Sequence, residues 1–217
     1  MKNIRHLPLL FIILALPRLA AQDETKMEDL FLRDGLYYIS GQDSAFTGNV
    51  VDSWENGTKR LEGTYKDGRL DGKRSTWYGN GQQQEESSWN TGTQIDVHKQ
   101  WYENGQQKFE RTYKDGKRDG PWVTYHDNGQ LESKVTYQNG KKDGPWVWYH
   151  DDGIVEGTYK NGKKEGPWVS YNKDGKRDGP WVAYHNNGQL FEKGTYRNGK
   201  KEGPWVTYHE NGQLFEK

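Results

Sequence analysis

The chain has 217 residues, of which 31% are hydrophobic and 29% are charged, and its 31 basic side chains balance 31 acidic ones. This balance argues against a nucleic-acid-binding protein, which usually presents a net basic face. The absence of cysteine excludes structural disulfides, thiolate metal sites, cysteine nucleophiles and a lipid-modified N-terminal cysteine. Aromatic residues make up 14% of the chain and there are 27 glycines. This composition favours a thin, repetitive sheet with many turns over a globule with a deep core.

The N-terminal segment differs from the rest of the chain. Basic residues come first, a nearly unbroken apolar stretch runs from Leu7 to Leu16, and the small residues Ala20 and Ala21 follow. This order is typical of a secretory signal peptide. The alternative, a membrane anchor, is disfavoured because the apolar stretch is too short: a spanning helix needs about 20 apolar residues. We predict that residues 1–21 are a signal peptide, that the chain is exported to the periplasm or outside the cell, and that residues 22–33 are a linker.

From residue 34 to residue 217 the chain consists of a repeat of about 24 residues. The units lie near 36–62, 63–86, 87–110, 111–134, 135–156, 157–193 and 194–217. Trp122 and Trp146 are 24 residues apart, but Trp168 and Trp181 are only 13 apart, so the sixth unit carries an internal deletion. The missing piece is the strand that elsewhere runs from Asn-Gly-Gln-Leu to Thr-Tyr. We therefore predict a fault in the strand order at this point.

Each unit contains two candidate strands and two turns. Residues 131–137 alternate between apolar and polar side chains, which is typical of a half-buried strand. The second strand is predicted over 122–125 and opens after Gly120 and Pro121, because proline at a first strand position loses no ladder hydrogen bond. Asp-Gly and Asn-Gly pairs favour tight hairpins. The predicted fold class is all-β: an elongated repeat of antiparallel β-hairpins, with about 14 strands in one ribbon.

The units resemble a known repeat family. The pattern Tyr-x-Asn/Asp-Gly-Lys-x-x-Gly, followed by Tyr-x-x-Asn-Gly, is similar to the MORN repeat. The Gly-Pro-Trp and Asn-Gly-Gln-Leu strings resemble a bacterial variant found in the YwqK-family antitoxin component of toxin–antitoxin systems. The resemblance covers roughly residues 34–217 and implies a β-hairpin solenoid with an interaction or scaffolding role. It also implies a toxin as the partner, and the signal peptide would place that partner outside the cytosol.

Residue patterns for catalysis, cofactors or metals are absent from the sequence, so we predict that the protein is not an enzyme and needs no cofactor. One histidine follows the strand-ending Tyr in four units, at His126, His150, His185 and His209. Neighbouring copies would lie two strands apart, roughly 10 Å, which is too far to share a metal ion. We expect them to cap turns or pack on Tyr, and we expect Asp residues such as Asp119 to stabilise turns. A hydrolase would instead need a pocket around Asp96 and His98.

The strongest candidate for binding is the repeated tryptophan of the Gly-Pro-Trp string. Its copies are Trp122, Trp146, Trp168, Trp181 and Trp205. Aligned rings of this kind can hold a partner strand or stack on sugars, whereas the alternative is that they form the core of a thin fold.

From these residues we predict a non-enzymatic protein-binding repeat scaffold whose partner is a toxin or an envelope protein. The alternative function is binding to an envelope glycan or lipid surface through exposed aromatic rows. The last unit reaches Lys217 on a repeat strand, and such an edge also predicts self-association with another chain.

Overall fold

A computed structural model describes residues 25–215, so the predicted signal peptide, residues 1–21, lies outside the described residues. A short 3-10 helix at Met27–Asp29 precedes the strands. The strands are β1 (Leu30–Arg33), β2 (Leu36–Ile39), β3 (Gly48–Ser53), β4 (Lys59–Lys66), β5 (Arg69–Trp77), β6 (Gln83–Asn90), β7 (Thr93–Trp101), β8 (Gln107–Lys114), β9 (Lys117–Tyr125), β10 (Leu131–Gln138), β11 (Lys141–His150), β12 (Gly153–Lys160), β13 (Lys163–Asn172), β14 (Gly179–Tyr184), β15 (Leu190–Arg197) and β16 (Lys200–Thr207).

Strands β3 to β16 form one antiparallel sheet of 14 strands, in which every strand lies beside its neighbours in sequence. This confirms the predicted all-β ribbon of hairpins. β1 and β2 form a separate two-stranded sheet. The predicted linker is wrong for residues 30–33, because they form β1. Leu30 and Met27 pack against a small core of Phe46, Val50 and Tyr65, and this burial holds the segment in place.

Two kinds of connection alternate along the ribbon. Tight two-residue turns such as Asp115-Gly116 have positive φ at both residues, 50° and 74°, as type I′ hairpins require. Five-residue loops such as 126–130 close through hydrogen bonds from His126 N to Gln130 O (2.8 Å) and from Gly129 N to His126 O (2.9 Å). From β4 to β13 the two-residue turns that end in glycine lie at one edge, which we call the turn edge (66–69, 90–93, 114–117, 138–141 and 160–163). The other connections, from β3 to β12, form the loop edge (54–58, 78–82, 102–106, 126–130 and 150–153).

The Gly-Pro pair lies within β9, β11, β13 and β16, whereas β14 begins with it. β9 begins at Lys117, and Pro121 is paired with Thr136 of β10. On the side of β8 the register shifts at this point, and Gly120 has a φ of 105°. The prediction that the strand starts at Trp122 is therefore wrong: the glycine and proline form a β-bulge, a place where the lost N–H of proline is tolerated.

The aspartate of this bulge joins one unit to the next. The Asp119 carboxylate accepts a hydrogen bond from Asn139 N at 3.2 Å, and Asp178 accepts one from Asn198 N at 2.9 Å. Both donors belong to the tight turn that follows in the chain. Asp119 thus stabilises a turn as expected, but it lies within β9 and the turn is that of the next hairpin, 20 residues away. Each unit is held by its successor, as in other linear repeat proteins.

The deletion between Trp168 and Trp181 leaves the strand order intact, so the predicted fault in strand order is wrong. The pairing is irregular, however, because the register of β13 with β14 covers only Gly166 to Trp168, and the rest of the ribbon is turned over. β13 and β14 belong to the same half of the repeat, yet they pair directly, with Trp168 opposite Val182. Lys163 Nζ, on the turn edge, donates to Asn187 O of a five-residue loop at 3.1 Å. Asn172 Nδ2, on the loop edge, donates to Asn198 Oδ1 of a tight turn at 3.3 Å. After β14, turns and loops have therefore exchanged edges.

Candidate functional site

The five predicted tryptophans do not form a single row. Trp146 and Trp168 stack with ring centroids 5.1 Å apart, and Trp122 packs against Tyr137 at 5.1 Å on the same face of the sheet. Trp181 and Trp205 form a second pair at 5.1 Å. Because Val182 shares a face with Trp168, its neighbour Trp181 points to the opposite face. The reversal thus divides the predicted row between the two faces of the ribbon.

These rings are covered by packing and by cations. Trp168 is buried, with 5% of its surface exposed, and the other four are half-buried. The Lys164 ammonium lies 4.1 Å from the Trp168 ring centroid, and Lys201 lies 3.7 Å from that of Trp205. Arg118 stands over Trp122 at 4.3 Å. The cation–π contacts stabilise the ladder. The geometry fits a structural core, and the prediction that these five residues bind a partner stays a prediction.

A different tryptophan is open to solvent. Trp148 is 41% exposed and stands where the neighbouring units have Thr124 and Ser170. Its ring packs over His150, with centroids 4.8 Å apart and planes 30° apart. Trp148 was not predicted as a binding residue, although the sequence distinguishes it: Trp-Val-Trp-Tyr replaces the Trp-Val-Thr-Tyr of other units. An exposed indole next to small neighbours is a common anchor for binding.

Along the loop edge, an asparagine ladder joins successive loops. Asn80 Nδ2 donates to Glu103 O at 3.0 Å, and Asn104 Nδ2 donates to Asp127 O at 2.6 Å. A second line of bonds runs beside it, with Tyr102 OH donating to Tyr125 O at 2.9 Å. Each asparagine also accepts from the backbone two residues on, which fixes its side chain. The amide is therefore preorganised to reach a backbone carbonyl of the following loop.

The ladder stops at Asn128. The following unit is two residues shorter, and only Asp151 and Asp152 lie between the paired residues His150 and Gly153, where the preceding loop has five residues. Within the described residues, Asn128 Nδ2 donates only to Gln130 Oε1 of its own loop, at 3.3 Å. The amide that would hold the next loop thus has no backbone carbonyl to bind.

The shortened connection leaves a groove of about 890 Å³ at the loop edge. Loop 126–130, the short turn at 150–153 and residues 172–175 line it. Its charged side chains are Asp127, Asp151 and Lys173, so the charge is slightly negative. His150 lines the groove and also packs on Trp148, which connects the groove to the exposed indole. We refer to the groove together with Trp148 as the candidate site.

Comparison with known protein families agrees with this architecture. The family model described as MORN repeat variant matches five segments, at 97–115, 118–139, 142–161, 177–198 and 201–217. These five segments are similar to the MORN-variant repeat. The matches leave out residues 162–176, which hold the strand and loop before the reversal, and they begin only at residue 97. A search of curated proteins finds no match.

Between β5 and β8, at the start of the matched region, the repeats have polar contacts in place of the aromatic ladder. His98 packs edge-on against Phe109 at 4.9 Å, and its Nε2 lies 3.4 Å from Glu85 Oε1. The His98 side chain, together with the charge of Arg74, holds the pKa of the Glu85 carboxyl below its usual value although burial opposes this. Asp96 is exposed and takes the positive-φ bulge position of Gly120. In residues 25–215 no hydrogen bond or ion pair joins Asp96 to His98.

The repeated histidines of the MORN-variant units have a structural role. His185 Nε2 lies 3.0 Å from Tyr208 O, at the end of a strand in the next unit, and its ring packs against Phe191. The expected capping role is confirmed for His185, whereas the expected packing on Tyr is replaced by Phe191 here and by Trp148 at His150. Across residues 25–215, no three His, Cys, Asp or Glu side chains are grouped so that they could hold a metal ion.

None of the helices in the described residues has the length and apolar character needed to cross a bilayer. The last strand, β16, pairs with β15 on one side. On its other side, the described residues contribute only a bridge between Tyr208 and Leu214 and a hydrogen bond from Phe215 N to Thr207 O. Self-association through this edge therefore stays a prediction.

Proposed function

We propose that this MORN-variant repeat protein is a non-enzymatic scaffold that binds another protein at the candidate site. The single observation that carries the proposal is the interrupted ladder at Asn128. An amide that is bound in the preceding loops here faces a groove of about 890 Å³. When a partner covers the Asn128 amide, a hydrogen bond to a partner carbonyl avoids the free-energy cost of burying an unpaired polar group. A loop of a partner protein can supply the missing carbonyl.

The repeat itself indicates what kind of segment fits. Asn104 binds the backbone carbonyl of Asp127, which belongs to a reverse turn of five residues. Asn128 holds the same position in its own loop, because its Oδ1 accepts from Gln130 N at 2.9 Å. A reverse turn of the partner, placed in the groove, would present its carbonyl to this amide as the next repeat normally does. Recognition by main-chain groups also tolerates varied partner sequences.

Trp148 supplies the apolar contact next to these polar groups. Its indole is the large, rigid and partly exposed kind of side chain that dominates binding energy in protein interfaces. The Asp127 and Asp151 carboxylates favour a partner segment that carries Lys or Arg. The finer proposal, which follows from the resemblance to YwqK-family antitoxins, is that the partner is an exported toxin. An envelope protein is the broader form of the same proposal.

Export forms part of the proposal, because it decides where the partner is met. The order of basic, apolar and small residues in 1–21 supports it. A fusion of residues 1–33 to a reporter enzyme that is active only outside the cytoplasm should show activity and a shortened chain. A full-length, inactive fusion would contradict export while leaving the binding proposal open to its own test.

The binding test closes the groove by lengthening the short turn at 150–153. We replace Asp152-Gly153-Ile154 by Asn-Gly-Gln-Leu-Glu, the residues at 128–132, which restores a full-length loop and offers a carbonyl to Asn128. Because this completes the ladder, the variant should be at least as stable as the wild type and should lose the partner in affinity capture from envelope extract. A partner retained by the filled variant would refute the site.

Trp148→Thr provides a second test, since the neighbouring unit has Thr124 at the same place. We expect partner recovery to fall at least about tenfold, as for a hot-spot residue. The matched control is Trp54→Thr, because Trp54 is 39% exposed but lies in the loop between β3 and β4, far along the ribbon. Equal effects of the two substitutions would indicate a general loss of stability and would argue against Trp148 as an anchor.

The exposed indole also favours a second function, binding of an envelope glycan or lipid surface. A sugar ring can stack on Trp148 as it does on other exposed aromatic platforms. The test is sedimentation with peptidoglycan, with a polysaccharide and with anionic vesicles, followed by Trp fluorescence. Sedimentation that Trp148→Thr abolishes would support this function. Unchanged fluorescence and no sedimentation with any of the three would reject it.

A further inference from the structure

The two edges of the ribbon carry opposite charges between β3 and β13. The connections of the loop edge contain five acidic residues and no Lys or Arg: Glu55, Glu103, Asp127, Asp151 and Asp152. The tight turns of the turn edge contain two acids, Asp67 and Asp115, against seven bases: Lys66, Arg69, Lys114, Lys117, Lys141, Lys160 and Lys163. The chain is therefore neutral overall, but acidic side chains lie at one edge of the ribbon and basic side chains at the other.

These edge charges are exposed and almost all unpaired. All five acids of the loop edge and all seven bases of the turn edge are exposed. Among residues 25–215, the only ion pair that involves any of the twelve joins Lys160 to Glu165, at 3.9 Å. Charges that are not neutralised within the molecule are available to a partner of opposite sign. They also produce an electric field that favours one relative orientation of two molecules.

Successive connections are also equally spaced along the two edges, so that the two edges match in spacing and are opposite in charge. Successive connections at either edge are separated by two strands, which is about 9.6 Å at ordinary strand spacing. The turns are offset from the loops by one strand, because each strand begins at one edge and ends at the other. The turns of one ribbon can therefore lie between the loops of another, with a repeated acid–base contact along the edge.

We propose that a second copy of this chain docks side by side, with its turn edge against the loop edge of the first. Such a contact joins two different surfaces, so it leaves a free edge on each side and can extend to further copies. The proposal shares Asp127 and Asp151 with the groove, but it requires neither Trp148 nor an open groove, because Glu55, Glu103 and the bases of the turn edge lie elsewhere. It differs from pairing through β16, which would join ribbons end to end.

The reversal determines the direction of the neighbour. After β14 the basic turn with Arg197 and Lys200 lies on the loop edge, and the loop with Glu210 lies on the turn edge. With both ribbons parallel and in register, the basic turn with Arg197 and Lys200 of one copy faces the loop with Glu210 of the other. Loop 173–178, which also lies on the loop edge, has three bases and two acids and adds no acidic contact. With the ribbons antiparallel, like charges would meet there. We therefore expect parallel neighbours.

The test is analytical ultracentrifugation of the chain at low and high salt. The weight-average mass should rise with concentration at about 0.02 M salt and return to that of a monomer at about 1 M salt, where the Debye length is about 3 Å. A monomer at all concentrations in low salt would overturn the proposal. Self-association that is equally strong at high salt would also overturn it, since that result would indicate an apolar or strand-edge contact.

Charge exchange gives a sharper test. One variant reverses the loop edge (Glu55→Lys, Glu103→Lys, Asp127→Lys and Asp151→Lys), and the other reverses the turn edge (Lys114→Glu, Lys117→Glu, Lys141→Glu and Lys163→Glu). Each variant then has two edges of one sign, and its self-association should weaken at least about tenfold. An equimolar mixture should associate again, because the basic loop edge of one faces the acidic turn edge of the other.

Two outcomes of the exchange would contradict the proposal. Either variant that still self-associates at low salt, while its circular dichroism shows the native fold, would show that the edges are not the interface. A mixture that stays monomeric would do the same. The groove-filled variant described above keeps Glu103, Asp127 and Asp151, so it should associate like the wild type. This separates a failure of the lateral contact from a failure of the proposed binding site.

Discussion

The indole of Trp168 occupies the space that a side chain on Gly157 would need. The same relationship holds between Trp205 and Gly194 on the other face of the ribbon. In both units, the absence of a Cβ lets the large ring lie directly over the neighbouring strand. The glycine is thus a packing requirement, because its backbone needs no positive φ at either position. The first prediction tests this contact.

Gly157→Ala should destabilise the protein by about 1–3 kcal/mol, because the new methyl group overlaps the Trp168 ring and forces it to move. The control is Gly63→Ala at the same repeat position, where the nearest atom to the added Cβ is 3.5 Å away and the contact is ordinary. That change should stay within about 0.5 kcal/mol. Urea unfolding, followed by Trp fluorescence, measures both. Equal destabilisation by the two variants would refute the packing argument.

A double variant, Lys163→Cys with Gly188→Cys, should form an intramolecular disulfide. A Cβ at Gly188 would lie 3.1 Å from the Cβ of Lys163, close to the range of disulfide bridges, although the φ of 83° adds strain. The chain has no other cysteine, so the product is unambiguous. Mass spectrometry after mild oxidation detects it.

The control for the disulfide is Lys163→Cys with Gly129→Cys, because Gly129 belongs to a loop on the opposite edge. This pair should form no intramolecular bridge. If the ribbon did not reverse after β13, loop 185–189 would lie with Gly129 on the loop edge. A failure of the first pair, or a bridge in the second, would therefore contradict the exchange of edges.

Thr91→Asn should stabilise the protein by about 1 kcal/mol. Thr91 has a φ of 47°, a left-handed conformation that is costly for a β-branched residue and that Asn adopts more readily. The other tight turns of the MORN-like units have Asp or Asn there, as at Asp115 and Asn139. Thermal unfolding of Thr91→Asn and of the control Thr93→Asn measures the effect. A gain at Thr93, which has no positive φ, would show that the backbone conformation is not the cause.

Glu85→Gln should reduce stability at neutral pH and weaken its dependence on acid. Because the pKa of Glu85 is lowered in the folded state, the carboxylate contributes stability that is complete above its unfolded pKa of about 4.3. That contribution is lost as the pH falls through the lower folded pKa. Wild type should therefore lose its advantage over Glu85→Gln between about pH 5 and pH 3.

The control for the acid prediction is Glu86→Gln, since Glu86 lies on the other face of β6 and is paired with Lys99 in the register. Urea midpoints from pH 3 to pH 7 compare the three proteins. Parallel curves for wild type and Glu85→Gln would contradict the role that His98 and Arg74 have at Glu85.

The repeat and its turn residues made most of the fold predictable. Asp-Gly and Asn-Gly pairs specify tight hairpins, and near-identical units can pair only with each other, so the order of 14 strands followed. The bulge at Gly120 could not be located by periodicity, because a bulge shifts the alternation of side chains within a strand. The strand was therefore predicted to start at Trp122, although it begins at Lys117.

The candidate site was less predictable, because it arises where the repeat is imperfect. The shorter spacing from Trp146 to Trp168 was visible as 22 residues, but only the structure shows that it shortens the loop edge and opens a groove. The binding prediction also selected the tryptophans that recur in the Gly-Pro-Trp string, and these rings are packed in the structure. Trp148 differs from the residue found at the same position in neighbouring units, and its side chain therefore does not join the ladder of packed rings.

The exchange of faces after β14 depends on parity. A loss of one whole unit removes two strands, so every later side chain keeps its face and every later loop keeps its edge. The interval from Trp168 to Trp181 lacks one strand, and an odd number turns the remainder of the ribbon over. The number of residues between consecutive Gly-Pro-Trp tryptophans therefore indicates on which face of the sheet each ring lies. Intervals of 24 or 22 keep the next ring on the same face, and an interval of 13 places it on the opposite face. A gene that gains or loses half a unit can in this way produce a two-sided protein from a single repeated motif.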